Sequence, residues 1–290
     1  MRTRNAAVIG ASGFIGGALA ESLQSSGIPV ARYTRTSPFH DETGQLADGV
    51  VAADTVFWLA SSIRPATAQT DEGSAAADQR ALTRLLDSLA TARSVAAPRI
   101  VVVSSGGTVY DPHSPSPHSE ANPTKPANQY GEAMLEIESL VTEHVADSVV
   151  LRVSNAYGPG QPVRRGQGVI AYWLHAIAAG EPIHVLGDDS VARDYVYIDD
   201  VVAALVAVHR ADQVPPVINI GSGVPTTLAR LVELVCQAVS PRAVAVSHDA
   251  GRSFDAPSTW LDVSLARSAL DWEPRVDLFT GLARTWEGVR

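Results

Sequence analysis

Tyr130 opens the segment QYGEAM, residues 129–134, which reads as the start of a helix. A tyrosine hydroxyl placed there can exchange a proton with a carbinol. Its reference pKa of about 10 calls for a neighbouring cation to bring it nearer neutrality. Residues i and i+4 share a helical face, so the natural place for a lysine is position 134. Met134 stands there instead, and a thioether supplies no charge. The only lysine of the chain, Lys125, lies before Tyr130 and beyond Pro126, in a loop. Two readings of Met134 stay open: drift in an enzyme that has lost its chemistry, or a specialised site.

A second chemical feature is GASGFIG, with glycines at 10, 13 and 16 between an apolar strand and a helix. Glycines at this place let the backbone turn tightly and let a pyrophosphate approach the helix N-terminus, where N–H groups and the dipole favour anions. The alternative is a tight turn with no ligand. At the end of the second strand, RYTRTS offers Arg32, Thr34, Arg35 and Ser37 and no acid. That suits the 2′-phosphate of NADP better than the 2′-hydroxyl of NAD, unless both arginines are simply solvated.

These residues need a frame, and the patterning supplies one. Apolar runs at AAVIG, VARYT, TVFWLA, RIVVVSS (Arg99–Ser105) and SVVLRVS alternate with helical stretches. The helices are expected from Gly13 to about Ser25, roughly Glu72 to Arg93, and about Gln129 to Val145. This alternation predicts an α/β fold with a doubly wound parallel sheet. A smaller lobe, rich in Gly and Pro connections, is expected at the sheet's carboxyl edge, where such folds bind ligands. Residues 1–154 form the expected dinucleotide-binding domain, rejoined by about 196–221. Residues 155–195 and 222–290 form the expected second lobe.

The 290 residues are 46% hydrophobic and 18% charged, with a mean hydropathy of +0.06. No apolar run approaches the length of a membrane span. A formal net charge of −9 without a basic stripe argues against nucleic acid and anionic membranes as partners. The single cysteine, Cys236, excludes an internal disulfide and fits a reducing, cytoplasmic setting. His113 and His118 fall in a Pro/Ser segment, PHSPSPHSEANPTKP, expected as a surface loop; no metal site is expected there or elsewhere.

Several motifs now occur in order over nearly the whole chain: GASGFIG, VFWLAS, VVVSSGGTVYD, YGEAMLEIE, LRVSNAYGPG, RDYVYIDDVV, NIGSG and LDVSLARSALDWEP. Together they resemble the extended short-chain dehydrogenase/reductases, in particular the nucleotide-sugar epimerase/dehydratase group typified by UDP-glucose 4-epimerase. The resemblance implies a dinucleotide, NAD or NADP, held by Gly10, Ser12, Gly13, Phe14, Ile15 and Gly16. Arg35 would face the adenosine ribose, with Leu59, Ala60 and Ser61 beneath the cofactor. Tyr130 would exchange the proton of a sugar hydroxyl while the nicotinamide takes the hydride. Asn155, Arg193 and Arg252 match positions that contact the substrate diphosphate, a role suited to guanidinium forks. The plainer alternatives are ion pairs of Arg193 with Asp194 or Asp199, and of Arg252 with Asp255. A homodimer through a four-helix contact is also implied.

The departures are as telling. Counting back from Tyr110, the usual Ser/Thr of the site falls on Gly106, which leaves Ser105 or Thr108 to supply the hydroxyl. The acidic pair of 4,6-dehydratases is replaced by Gly107 and Thr108. Trp58 stands where histidine is commoner, and the segment before VFWLA is short enough that the third strand and its helix are expected to be trimmed. The expected activity is C4 epimerisation of a nucleotide-diphosphate sugar through a transient 4-keto sugar. The alternatives are β-elimination from the same ketone, or a binding protein without chemistry.

Overall fold

The computed structural model describes residues 4–63, 72–92, 97–163, 168–249 and 258–289. The first half builds the sheet. β1 (Ala6–Ile9), α1 (Phe14–Ser25), β2 (Val30–Tyr33), α2 (Asp48–Val51), β3 (Thr55–Trp58), α3 (Glu72–Thr91), β4 (Arg99–Ser105), α4 (Gln129–His144) and β5 (Ser148–Val153) follow in order. The second half comprises β6 (Asn155–Tyr157), α5 (Val169–Ala179), β7 (Ile183–Leu186), β8 (Ala192–Arg193), β9 (Tyr195–Tyr197), α6 (Ile198–Arg210), β10 (Val217–Ile220), β11 (Thr226–Thr227), α7 (Leu228–Ala238), β12 (Val246–Asp249), α8 (Ser264–Leu270) and α9 (Leu278–Glu287).

Six strands pair in the order β2-β1-β3-β4-β5-β10, every neighbour parallel. Such a sheet must be covered on both faces, because parallel strands are joined by helical crossovers. The strands obey this: Val8, Phe57, Val101 and Leu151 enter one apolar cluster, while Ile9, Val56, Val102 and Val150 enter the other. Helices α1 and α6 cover the first face through Leu19, Leu23, Val201 and Leu205; α3 and α4 cover the second through Leu82, Leu85, Ile137 and Val141.

The expected doubly wound sheet is therefore present. β2 is its edge strand: residues 34–54, all described, add α2 and a lone bridge between His40 and Leu46 but no further strand. This is the trimming foreseen in the short segment before VFWLA. The strand order reverses between β1 and β3, and a ligand crevice opens at the carboxyl ends of the strands at such a point.

Beyond β5 the chain builds two-stranded ribbons, β6 with β9, β7 with β12 and β8 with β11. It returns once, through α6 and β10, to close the far edge of the main sheet. Among the described residues no helix is long and apolar enough to cross a membrane.

One expectation about this frame fails. His118 is not on a surface loop but 2% exposed, its ring stacked on Tyr110 at 4.9 Å between centroids. Its backbone is drawn in by the second half of the chain: His118 N donates to the Trp260 carbonyl, and Asp262 N donates to the His118 carbonyl. Composition marked the segment as a loop but carried no sign of the distant segment, Trp260 to Asp262, that pairs with it. His113, five residues earlier by number, is exposed as expected.

Candidate active site

The glycine turn is a cradle. Gly10 has φ of +95°, and both its N–H and that of Ala11 donate to the Tyr33 carbonyl at 3.0 Å, which fixes the turn to the end of β2. A Cβ on Gly10 would stand 2.6 Å from the backbone of Leu59 and Ala60; one on Gly16 would stand 2.2 Å from the Gly10 carbonyl oxygen. Gly13 is the N-cap of α1 and has no side chain to satisfy the first N–H groups of the helix. The uncapped backbone donors and the dipole at the start of α1 thus suit a pyrophosphate. Gly16→Ala is expected to open this turn and lower dinucleotide affinity by about tenfold or more, read by calorimetric titration of the purified variant.

Arg32 and Arg35 are both exposed near the end of β2. Leu59, Ala60 and Ser61 follow β3 directly beneath the turn, and Ile15 faces them from α1. Together with Trp58, Val103, Tyr130, Ala133 and Met134 they enclose a cavity of about 180 Å³. The residues expected around the nicotinamide are therefore brought together.

Tyr130 stands on the first turn of α4, where Asn128 is the N-cap and accepts from Gly131 N at 2.9 Å. Gly131 is required by contact: a Cβ there would meet the Thr108 carbonyl at 2.5 Å and Pro126 at 2.6 Å. The glycine after the tyrosine thus lets α4 press against the Gly106–Thr108 loop. Burial among apolar neighbours pushes the Tyr130 hydroxyl up to about 12, and no charged group offsets it. Met134, 6% exposed, belongs to the apolar core beside it. Lys125 is exposed in its loop.

The absence of a hydroxyl at Gly106 is structural as well as chemical. A Cβ there would lie 2.6 Å from Leu261 Cδ1 and 3.0 Å from the Arg152 carbonyl oxygen. Leu261, 2% exposed, fills the room a serine would need. Its N–H donates to Asp194 Oδ2, so the RDY segment holds it in place. The LDVSLARS motif gave no hint of this contact. Of the two hydroxyls expected to substitute, Thr108 Oγ1 is fully buried without a hydrogen-bond partner. Ser105 lies at the end of β4, half-buried, and its carbonyl accepts from the N–H groups of Thr108 and Val109.

Behind this loop lies a buried polar network whose members are scattered along the sequence. Arg152 Nη2 and Nε bond Glu138 at 2.6 and 3.1 Å, and Ser104 Oγ donates to the same carboxylate. The guanidinium lies 5.0 Å over the Tyr110 ring, whose hydroxyl donates to Asn219 Oδ1 at 2.6 Å. Burial tends to lower the Arg152 pKa, but the Glu138 carboxylate and Tyr110 together outweigh it and hold the group above its ordinary value.

A larger cavity, about 440 Å³, opens in the second half of the chain. Asn155 and Arg193 line it, with Tyr172, His184, Leu186 and Asp249 among their neighbours. Asn155 Nδ2 donates to the Asp194 carbonyl at 2.9 Å, and Arg193 Nη1 to the Ala192 carbonyl at 3.0 Å. The Asp194 carboxylate accepts from Ser154, Ser222, Gly223 and Leu261, which welds this motif to the NIGSG turn. Arg252 lies outside the described residues.

Residues 6–221, well over half of the chain, match the model of the NAD dependent epimerase/dehydratase family. The chain belongs to this family. Within it, the chain is 31% identical to UDP-glucose 4-epimerase of Mycolicibacterium smegmatis, over 98% of this chain and 97% of that one. It is 34% identical to dTDP-4-dehydro-6-deoxyglucose reductase of Escherichia coli, over 66% of this chain and 61% of that protein's length. The solved UDP-glucose 4-epimerase of Thermotoga maritima, bound to UDP-glucose, superposes with a TM-score of 0.85 at 27% identity, covering 98% of both chains. The relatives are NAD-dependent epimerases, dehydratases and reductases of nucleotide sugars, and the chain is an enzyme of that broad class. No group of three or more His, Cys, Asp or Glu arranged for a metal occurs among the described residues.

Proposed function

We propose that the protein is a nucleotide-diphosphate-sugar epimerase that works through a transient 4-keto sugar. The observation that carries this reading is the convergence of Ile15 from the glycine motif, Leu59–Ser61 after β3, and Tyr130 on one small cavity. The larger cavity, in the second half of the chain, bears Asn155 and Arg193. The residues present fit a dinucleotide: Gly10 and Gly16 let the turn close on Leu59, Ala60 and its own carbonyl, and Gly13 leaves the first N–H groups of α1 without a side-chain cap. When bound, the nicotinamide would accept a hydride from C4 and give it back.

The protein's own part is proton transfer and positioning. Tyr130 takes the hydroxyl proton at the sugar's C4 oxygen as hydride leaves C4, and returns it when hydride comes back to the other face. Thr108 Oγ1, a buried hydroxyl without a partner, donates to that oxygen in place of the missing serine; Ser105 is the second choice. Arg193 and Asn155 hold the diphosphate, with Arg252 assigned to the same task on the strength of its motif. Ser12 and Phe14 complete the dinucleotide turn. Residues 155–195 and 222–290 form the lobe that carries the substrate. Arg35 at the end of β2 suits NADP, whereas the family's description names NAD; the reading therefore takes NAD(P) as the cofactor pair. A homodimer in the cytoplasm completes the proposal.

Elimination from the same ketone remains the second reading, but Gly107 and Thr108 supply neither acid nor base for it. Incubation with UDP-, GDP- and dTDP-hexoses, with products read by NMR, tests the proposal. A C4 epimer supports it; an unsaturated or deoxy sugar favours elimination; no turnover of any sugar overturns both.

The pH dependence follows from Tyr130. Its ionised form accepts the proton, and its pKa lies far above neutrality, so that form grows about tenfold per pH unit below the pKa. Activity is expected to rise from pH 7 to 10 without levelling off. Met134→Lys places a cation beside the hydroxyl and is expected to move the plateau to lower pH. A rate–pH profile of the two proteins measures both.

A further inference from the structure

The nicotinamide cavity contains a charge that no part of the proposed chemistry uses. Asp78, on α3, forms part of its wall together with Tyr130, Met134, Ala60 and Ser61. Its Oδ2 accepts from Ser62 N at 2.6 Å, Ile63 N at 3.2 Å and Ser61 Oγ at 3.3 Å, which fixes the carboxylate against the loop leaving β3. Among the described residues lining the cavity, Asp78 is the one acidic or basic side chain. The other walls are Ile15, Leu59, Val103, Ala133, Ile137 and their apolar neighbours.

We infer that Asp78 sets the redox poise of the bound dinucleotide, holding it in the oxidised form. The inference rests on the cofactor reading given above. A nicotinamide ring is a cation when oxidised and neutral once it has accepted a hydride. A fixed anion on the wall of the same cavity therefore favours binding of the oxidised ring over the reduced one. A lysine at position 134 would act in the opposite sense, and Met134 removes that opposition. The pair Asp78 and Met134 thus inverts the sign of the field that a Tyr/Lys pair would create. This suits an enzyme that begins each turnover by oxidising its substrate and ends with the cofactor oxidised again. It does not suit a reductase that must load a reduced cofactor.

The test is titration calorimetry of the whole protein with NAD⁺ and NADH, and with NADP⁺ and NADPH. The ratio of dissociation constants is taken within whichever pair binds more tightly. The oxidised form is expected to bind about tenfold more tightly than the reduced form, a shift of about 30 mV for a two-electron couple. Asp78→Asn keeps an oxygen to accept from Ser62 and Ile63 but discards the charge, and is expected to erase most of that difference. Asp78→Ser, a second neutral variant with an oxygen to accept, is expected to erase the difference likewise and decides the matter if Asp78→Asn fails to fold; Met134→Lys adds a cation to the same cavity and is expected to move the ratio in the same direction. Tighter binding of the reduced form by the wild type, or a ratio unmoved in the variants, overturns the inference and leaves the epimerase reading intact. If neither pair binds, the cofactor reading itself falls, and this inference with it.

Discussion

Glu138→Ala is expected to destabilise the protein by about 3–5 kcal/mol, because it leaves a buried arginine without its counter-charge. The side chains of Arg152 and Glu138 are 7% and 8% exposed, and two guanidinium nitrogens bond the carboxylate. Removing the carboxylate also orphans the Ser104 hydroxyl, while Arg152 Nη1 already has no partner. Denaturant unfolding should show a lower midpoint with an unchanged slope. The double variant Glu138→Leu/Arg152→Met should recover much of the loss, because an apolar pair of similar volume needs no compensating charge. Full retention of stability in Glu138→Ala would show that water reaches Arg152.

This pair also matters for the site. Glu138 is on α4, two turns after Tyr130, and Arg152 is on β5 with its carbonyl against Gly106. The ion pair therefore locks the helix bearing the proposed acid–base to the strand beneath the proposed sugar pocket. Tyr110, Asn219 and His118 extend the lock to the second half of the chain.

Tyr130→Phe is expected to lower kcat by about a thousandfold with little change in KM, the size usual for the loss of a general acid–base. The ring is retained, so cofactor and substrate binding should survive. Initial rates on the substrate found by the sugar panel measure the effect. An activity untouched by the change would mean that Tyr130 does not handle the proton and that the chemistry has moved to another group. Met134 makes this test informative: without a lysine, nothing in the apo site holds the hydroxyl below about 12.

Much of the frame was legible because it rests on short-range rules. Continuous apolar runs at Ala6–Ile9 and Arg99–Ser105, short and alternating with helical stretches, read as strands buried on both faces, and GASGFIG between strand and helix reads as a tight turn. Tyr130 at a helix start beside Met134 is likewise a matter of helical period. What stayed hidden are contacts between residues far apart in sequence. Leu261 occupying the space above Gly106 joins positions more than a hundred residues apart, and no local pattern encodes it. His118 looked like loop because its neighbours are Pro and Ser; its burial comes from Trp260 and Asp262. Asp78 is one acidic residue on the helix expected from roughly Glu72 to Arg93, and only the packing of α3 against the β3 loop brings it to the cavity wall. The glycine at 106 was read as a missing hydroxyl; the structure shows that its place is filled.

The central claim is that hydride leaves C4 of a nucleotide sugar and returns to the same carbon. It is tested most directly by supplying UDP-glucose deuterated at C4, or the corresponding sugar of whichever nucleotide is accepted, and following the product by NMR and mass spectrometry. The expected product is the C4 epimer with deuterium still on C4 and no net reduction of the dinucleotide. Loss of the label to solvent, or a product epimerised at another carbon with C4 untouched, would contradict it.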